Sequence, residues 1–255
     1  MSTPDYGLSG KIVIVTGGGR GLGLALSRGF AAAGAKVAIV GRTMETLEAA
    51  AEGIRAAGGT AQAFTADVAS EDSIAALCSD VLALWGKIDV LVNNAGINPW
   101  YKRPEDTELS EWQQIIDVNL TGVFLACKHA GRAMIAAGEG AIINITSVGG
   151  RVALARTTSY CAAKGGVELL TKQLAFDWAA KGIRVNAVAP GYFETDLTEG
   201  LRNHPGLSSQ VTGRTPMGRF GHPDELIGAC LFLASPASSY VTGHSLAVDG
   251  GWTAA

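Results

Sequence analysis

The chain contains few cysteines, and their distribution excludes two common kinds of scaffold. Among its 255 residues there are only four, Cys78, Cys127, Cys161 and Cys230. No two of them have the close spacing of zinc ligands, and they are too sparse for a small disulfide-stapled domain. We therefore expect buried free thiols in a reducing compartment, and we expect no metal site.

Charge is also scarce, since charged residues make up 17% of the chain and the formal net charge is −3. A balance this close to neutral offers no basic surface for nucleic acid or for an anionic membrane. No apolar run approaches the roughly 20 residues that cross a bilayer. The N-terminus, MSTPDYGLSG, lacks the basic and then apolar pattern of a secretory signal. We expect a cytoplasmic protein with no nucleic-acid or membrane partner.

Apolar residues and glycine are abundant, and they form alternating strand and helix patterns. Hydrophobic residues account for 47% of the chain, which also has 34 glycines. Short apolar runs typical of buried strands alternate with longer segments typical of helices. This alternation predicts an α/β fold in which a single domain, residues 1–255, holds a doubly wound parallel sheet of about seven strands. The predicted strands cover residues 11–16, 36–40, 61–66, 88–92, 142–145, 184–189 and 245–248.

A glycine-rich segment follows the first predicted strand directly. It reads GGGRGLG over residues 17–23 and precedes a helical pattern that runs to Gly34. Glycines let a backbone approach a pyrophosphate closely, and a helix N-terminus offers donors and partial positive charge to phosphate. The order of strand, glycine turn and helix therefore predicts a dinucleotide site. Its candidate residues are Gly17, Gly19, Arg20, Gly21, Leu22 and Gly23.

The end of the second predicted strand indicates which dinucleotide is bound. Sites for NAD usually place an Asp or Glu about 20 residues beyond the glycine motif, where it binds the ribose 2′-hydroxyl. Here the strand ends in Gly41, followed by Arg42 and Thr43. Arg42, together with Arg20, is suited to a 2′-phosphate through charge-assisted hydrogen bonds. We expect NADP(H) to be preferred over NAD(H).

The candidate catalytic groups lie after the fifth predicted strand. Ser147 follows that strand, and Tyr160 and Lys164 are four residues apart on one face of the following helix. An ammonium beside a phenol favours the phenolate and lowers a phenol pKa that is ordinarily about 10. A tyrosine of lowered pKa exchanges a proton with an alcohol or ketone oxygen near neutral pH. Ser147 is placed to donate a hydrogen bond to the same oxygen.

Other strand ends carry further motifs, and the set as a whole resembles the short-chain dehydrogenase/reductase family. The motifs are Thr16-Gly17-x-x-x-Gly21-x-Gly23, Asn93-Asn94-Ala95-Gly96, Asn119, Ser147, Tyr160-x-x-x-Lys164 and Pro190-Gly191. The resemblance covers essentially the whole chain in the family's order and spacing. It implies a Rossmann-type fold and an NADP(H)-dependent oxidoreductase that interconverts a ketone and a secondary alcohol.

The resemblance also implies a role for each matching residue. Tyr160 is the implied acid and base, while Lys164 binds the nicotinamide ribose and lowers the pKa of Tyr160. Ser147 is implied to hold the substrate oxygen, and Asn119 to position a water that links Lys164 to solvent. The other implied cofactor contacts are Asp67, Val68, Asn94, Ala95 and Gly96 on the adenosine side, and Pro190, Gly191, Phe193 and Thr195 at the nicotinamide carboxamide.

Two branches of the family are open for the substrate. Residues 190–195, PGYFET, and 247–252, AVDGGW, are similar to those of sugar and sugar-acid dehydrogenases such as gluconate 5-dehydrogenase. The alternative is 3-oxoacyl-(acyl-carrier-protein) reductase, whose members dock an acidic carrier with basic residues on two long helices. Arg132 matches one such position, but the other holds Phe176 beside Asp177, which favours the first branch.

Several features near the strand ends are candidates for substrate contact. Residues 192–221 form a long connection, which we interpret as a lid over the active site. Trp100 and Tyr101 follow another strand end and are candidates for a pocket wall. Nearby cations face either a substrate carboxylate or solvent, and both interpretations are left open for Lys102, Arg103, Arg151 and Arg156.

Two other classes of function fit less well. A catalytically silent NADP-binding regulator does not need Tyr160 and Lys164, and both are present. A larger epimerase or dehydratase needs a further substrate domain, for which 255 residues leave no room. By analogy with the family we expect a homotetramer built on the two long helices. In that assembly Phe176 and Trp178 lie either at the interface or in the core.

Overall fold

In the computed structural model, which describes residues 6–254, seven strands form one parallel sheet. Their order is β3-β2-β1-β4-β5-β6-β7, so the chain winds outward from β1 and then returns to build the other half from β4. The predicted doubly wound sheet is confirmed, and every observed strand overlaps its predicted range. The strands are β1 (Ile12–Thr16), β2 (Lys36–Gly41), β3 (Thr60–Thr65), β4 (Val90–Asn93), β5 (Gly140–Ile145), β6 (Ile183–Pro190) and β7 (Ser245–Val248).

Helices connect the strands and cover both faces of the sheet. None of the helices within residues 6–254 combines the length and apolar character that a bilayer span requires. A π-helical turn, Asp117–Thr121, interrupts the long helical segment over residues 109–137 and divides it into two α-helices. The helices are α1 (Gly21–Ala32), α2 (Met44–Ala56), α3 (Glu71–Trp85), α4 (Leu109–Ile116), α5 (Gly122–Ala137), α6 (Thr158–Trp178), α7 (Asp196–Arg202), α8 (Pro205–Arg214) and α9 (Ile227–Ala234).

The alternation of side chains along the strands produces two apolar layers. Val13 of β1 packs with Phe30 in the layer formed by α1, α2 and α9. Its neighbour Ile14 points to the opposite face and packs with Met134 in the layer formed by α3, α5 and α6. Full burial of one such side chain contributes about 1.5–3 kcal/mol. Both faces are therefore covered, which leaves the carboxyl ends of the strands as the open edge of the sheet.

Residues 192–221 contain regular structure, so the prediction of one long connection is only partly right. Two helices, α7 and α8, occupy most of the segment. Its ends are joined, because Glu194 N donates to Gly221 O at 2.9 Å and Gly221 N donates to Tyr192 O at 2.9 Å. Helix α8 begins at a local signal, since Pro205 takes the first position and the His204 ring accepts from Leu207 N.

Candidate active site

The carboxyl ends of β1, β4, β5 and β6 meet at one edge of the sheet. In the register of the strands, Asn93 lies opposite Asn144 and Ile145 lies opposite Val188. The buried Asn93 amide also donates to Asn144 Oδ1 at 2.9 Å. The chain segments that leave these strands therefore start side by side, and ligands of open parallel sheets bind at such an edge.

The glycine-rich segment after β1 is a tight turn that no larger residues would permit. Gly17 and Gly21 have φ values of +64° and +52°, in the region that favours glycine. A Cβ atom on Gly23 would lie 2.0 Å from the carbonyl oxygen of Gly17. Ser27 closes the turn by donating to the carbonyls of Gly18 and Gly23 at 3.2 and 2.9 Å. A phosphate-bearing ligand can thus approach the backbone at the start of α1.

Thr16 joins this turn to the loop after β4, a role that the sequence analysis missed. Its hydroxyl oxygen accepts from Asn94 N at 3.0 Å and from Ala95 N at 3.1 Å. In return, Asn94 Nδ2 donates to the carbonyls of Thr16 and Gly17 at 2.9 and 3.2 Å. Asn94 therefore positions the glycine turn, and its predicted contact with the cofactor stays a prediction.

The residues predicted for the adenosine end follow β2 and β3. Arg42 and Thr43 are exposed immediately after β2. Asp67 follows β3, and its carboxylate accepts from Ala69 N at 3.0 Å. Arg20 is also exposed and lies 3.8 Å from the carboxylate of Asp196, at the start of α7. An exposed pair at this distance contributes little to stability, so the guanidinium is free to exchange partners.

Ser147, Tyr160 and Lys164 lie together at the end of β5 and the start of α6. Ser147 Oγ accepts from Gly149 N at 3.0 Å, and the Ser147 side chain lowers the pKa of the Tyr160 phenol against the effect of burial. Lys164, which is only 3% exposed, donates from Nζ to the Ile145 carbonyl at 2.8 Å. The same nitrogen is 5.8 Å from the centre of the Tyr160 ring. The arrangement offers a hydroxyl donor, a proton carrier and an amine within one small volume.

Asn119 lies in the π turn and is fully buried. Its Oδ1 accepts from Ile97 N at 3.1 Å, and its Nδ2 donates to the carbonyls of Ile97 and Ile115 at 2.9 and 3.0 Å. A Cβ atom on Gly96 would come 2.7 Å from Asn119 Oδ1 and 3.6 Å from Lys164 Nζ. Asn119 thus fixes the backbone beside Lys164, while its predicted link to a water stays a prediction.

The expected lowering of the Tyr160 pKa is wrong for the protein alone. Burial raises the pKa of Tyr160 to about 12, and the Ser147 side chain opposes that rise only in part. Burial also lowers the pKa of Lys164 to about 8, because a charged amine loses its hydration there. The spacing of Tyr160 and Lys164 shows that they are neighbours, but it does not show the cost of removing both groups from water.

A half-buried carboxylate one helical turn beyond Lys164 was also missed. Glu168 accepts from Thr146 Oγ1 at 2.6 Å and from Ser245 Oγ at 2.8 Å. Arg151 lies 3.7 Å from the same carboxylate oxygen and donates to the Ser245 carbonyl. The negative charge of Glu168 raises the pKa of Lys164 against the effect of burial. These contacts join α6 to the edge strand β7 one helical turn from Lys164.

The candidate substrate cations separate into paired and unpaired positions. Arg151 belongs to the Glu168 network, Lys102 lies 2.5 Å from Glu111, and Arg103 lies 3.8 Å from Glu105. The first two pairings favour a structural role for Arg151 and Lys102. Arg103 and Glu105 form an exposed pair like that of Arg20 and Asp196, so Arg103 is free to exchange partners. The fourth candidate, Arg156, is exposed and has a φ of +60°.

The predicted nicotinamide end follows β6. Gly191 N donates to Val248 O at 3.0 Å, and a Cβ atom on Gly191 would lie 2.8 Å from the backbone of Asp249. Phe193 is 4% exposed and belongs to the core, so only its backbone faces the site. The Thr195 methyl lies 3.7 Å from the position of a Cβ on Gly21, which brings the start of α7 to the glycine turn.

Titratable ligands for a metal do not cluster in the part of the chain that is described. Residues 6–254 contain no group of three or more His, Cys, Asp or Glu side chains that could hold a metal ion.

Known proteins resemble this chain over almost its full length. The family described as enoyl-(acyl carrier protein) reductase matches residues 17–253. The cis-4-hydroxycyclohexanecarboxylate dehydrogenase of Sinomonas cyclohexanicum is 45% identical over 244 residues, which are 96% of this chain and 97% of that protein. The galactitol 2-dehydrogenase (L-tagatose-forming) of Cereibacter sphaeroides is 43% identical over 250 residues, 97% of each chain.

Solved structures show the same arrangement of strands and helices. A gluconate 5-dehydrogenase from Burkholderia cenocepacia J2315, crystallised in complex with NADP and tartrate, is 44% identical to this chain. The match has a TM-score of 0.95 and covers 98% of both chains.

The hydrogen bonds of Thr16 predict a specific dependence of the fold on one oxygen. Thr16→Val keeps the side-chain shape but leaves the N–H groups of Asn94 and Ala95 without an acceptor. We expect a loss of about 2 kcal/mol or more in unfolding free energy, measured by urea denaturation, and weaker NADPH binding. Thr16→Ser keeps the acceptor and serves as the control. Equal stability of the two variants would contradict the assignment.

Proposed function

The chain belongs to the short-chain dehydrogenase/reductase family, and we propose that it interconverts a ketone and a secondary alcohol with NADP(H) through Ser147, Tyr160 and Lys164. The observation that carries the proposal is the position of the buried Lys164 amine, which lies 5.8 Å from the centre of the Tyr160 ring at the strand ends that adjoin the glycine turn. Ser147 follows the same strand, and its side chain lowers the pKa of the Tyr160 phenol. The relatives at 43–45% identity are named for dehydrogenation of alcohols. These names favour oxidation of a secondary alcohol over the enoyl reduction in the family's description.

The protein's own residues manage the proton and the substrate oxygen. Bound NADP(H) supplies or accepts the hydride. In ketone reduction, Ser147 and Tyr160 hold the carbonyl oxygen, and Tyr160 donates its proton as negative charge develops there. Because its pKa is about 12, the phenol is protonated at neutral pH and is still a stronger acid than an aliphatic alcohol. In the oxidation direction, the ammonium of Lys164 and the hydroxyl of Ser147 favour the phenolate that is needed.

The residues at the adenosine end fit the extra phosphate of NADP(H), which supports a preference over NAD(H). A Cβ atom on Gly41 would lie 3.1 Å from the side chain of buried Leu47, so an acidic residue there would be crowded. Arg42 follows as an exposed cation, and Arg20 is available from the glycine turn. The NADP complex of the Burkholderia relative agrees with this assignment.

The substrate is proposed to be a polyol or a hydroxy acid rather than a carrier-bound acyl chain. The relatives act on galactitol, gluconate and a hydroxycyclohexanecarboxylate, as their names state, and the gluconate enzyme was crystallised with tartrate. The carrier-docking surface is interrupted, because Phe176 is exposed where a second basic residue is expected. Closure of residues 192–221 over the substrate and a cytoplasmic location both stay predictions.

The proton-transfer role of Tyr160 predicts a selective loss of turnover. Tyr160→Phe removes the hydroxyl but keeps the ring, so we expect kcat to fall by about 100-fold or more. NADPH binding, measured by the change in cofactor fluorescence, should remain within a few-fold of wild type. Normal turnover in this variant would contradict the mechanism.

The proposed phosphate contact predicts a change in cofactor preference. Arg42→Ala should raise the KM for NADPH roughly tenfold or more and leave the KM for NADH unchanged, because only NADPH carries the 2′-phosphate. Arg28, an exposed arginine of α1, provides the matched control in Arg28→Ala. If wild-type protein prefers NADH, or if Arg42→Ala raises the KM for both cofactors equally, the proposed preference for NADPH is wrong.

The Glu168 network predicts a shift in pH dependence. The pKa of Lys164 is already lowered by burial to about 8, and Glu168 opposes that effect. Glu168→Gln removes the opposing charge, so Lys164 should lose its proton at lower pH. We expect the alkaline limit of kcat/KM for alcohol oxidation to move down by roughly one pH unit. Ser245→Ala removes a neutral partner of the same carboxylate and should leave the limit in place; an unmoved limit in Glu168→Gln would refute the coupling.

Exposed apolar side chains support the proposed tetramer. Leu169 and Phe176 of α6 are 68% and 85% exposed, and Leu109 and Phe124 are exposed on α4 and α5. Trp178 instead packs on Gly131, so of the two aromatic residues only Phe176 is free for an interface. Sedimentation velocity should show a tetramer that Phe176→Glu destabilises, and a monomeric wild-type protein would argue against the assembly.

A further inference from the structure

Tyr192 and Trp252 form an aromatic wall next to the catalytic tyrosine. Tyr192 follows the end of β6, and its ring lies 4.8 Å from that of Trp252. Trp252 is 4% exposed and packs with Val148, which follows Ser147, and with Val211 of α8. The wall therefore contacts both the catalytic segment and the helices of residues 192–221.

Arg214 stacks on the face of the Trp252 ring in this wall. It is the last residue of α8, and its guanidinium carbon lies 4.4 Å from the centre of the Trp252 ring. Stacking fixes the plane of a guanidinium while leaving its edge donors exposed. Trp252 is itself fixed, because the Asp249 carboxylate accepts from Gly251 N and Thr253 N at 2.9 Å.

Other arginines of the same segment are already engaged. Arg219 makes two hydrogen bonds of 2.7 Å to the carboxylate of Glu225. Arg202 donates to the Thr195 carbonyl at 3.3 Å. Arg219 is therefore neutralised, and Arg202 is only partly exposed, with its Nε buried. Arg214 differs from both because it is exposed and its partner is a ring, which leaves its charge and its planar donors available to a ligand.

Trp252 connects Arg214 to the reacting centre. Tyr192 and Arg214 both lie against its ring, and it packs with Val148, the residue after Ser147. Burial raises the pKa of Tyr160 and of Tyr192; Tyr192 adds to the rise for Tyr160, and the charge of Arg214 opposes it for Tyr192. A fixed cation is therefore linked to the Ser147 segment through one aromatic side chain.

We propose that Arg214 binds the carboxylate of the substrate, and that the physiological substrate is a hydroxy acid or keto acid rather than an uncharged polyol. This inference rests on the proposed alcohol oxidation at Tyr160. A planar guanidinium matches a carboxylate with two parallel hydrogen bonds. Tyr192, whose ring lies against Trp252, offers a hydroxyl that suits an additional hydroxyl group on the carbon chain.

The test compares acids with their amides, which have almost the same shape but no charge. The probes are D-gluconate with D-gluconamide, and cis-4-hydroxycyclohexanecarboxylate with its carboxamide, each oxidised with NADP+. Wild-type protein should favour the acid of the productive pair by roughly tenfold or more in kcat/KM. Arg214→Met keeps an unbranched chain over Trp252. In this variant kcat/KM for the acid should fall roughly 10- to 100-fold, mainly through a higher KM, while kcat/KM for the amide changes less than about threefold. Arg214→Lys should recover part of the preference, and Arg132→Met on α5 should leave it unchanged.

Failure of this inference can be told from failure of the proposed function. If Arg214→Met lowers kcat/KM for the acid and for the amide equally, Arg214 acts only by packing on Trp252. That result overturns the inference but leaves the proposed alcohol oxidation intact. A wild-type protein that oxidises uncharged polyols such as galactitol better than any acid also overturns it. If wild-type protein oxidises none of the acids, amides or polyols, the proposed function fails and takes the inference with it.

Discussion

The hydrogen bond from Lys164 to the Ile145 carbonyl is the contact on which the rest of the site depends. It holds a nearly unexposed amine at the end of β5, where Tyr160 and Ser147 already meet. Burying an amine without partners would be costly, so its surroundings must supply them. The Ile145 carbonyl and the Glu168 charge do so from opposite sides of the residue, one from the strand and one from its own helix.

A second linkage ties the half of the sheet that bears Lys164 to the half that bears the glycine turn. Thr16 ends β1 and Asn94 follows β4, and their reciprocal hydrogen bonds fix the glycine turn against the loop that contains Gly96. Gly96 in turn lies against Asn119 and Lys164. The two halves therefore form one continuous set of contacts, and a displacement of the glycine turn would reach the catalytic amine. This continuity explains why residues from distant parts of the chain form one site.

Most of the fold could be predicted from the sequence, because buried strands and amphipathic helices follow local periodicity. The site positions could be placed as well, since their motifs follow the ends of predicted strands. The π turn at Asn119 could not be anticipated, because one extra residue in a helical turn leaves the apolar pattern of the flanking helices intact. The helices within residues 192–221 have few apolar positions and were hidden for that reason. Glu168 was missed because Ser245, its partner, lies 77 residues away in the chain. The pKa of Tyr160 depends on burial, which spacing alone does not reveal.

If hydride passes between NADP(H) and the carbinol carbon of the substrate, an isotope label on the nicotinamide should pass with it. The protein would be incubated with NADPH carrying deuterium at C4 of the nicotinamide, in separate samples for each face, and with a panel of keto acids and ketoses. The account predicts that deuterium from one of the two faces appears on the carbon of the new secondary alcohol. NADPH binding without transfer to any member of the panel would contradict it and would indicate a catalytically silent dinucleotide-binding protein.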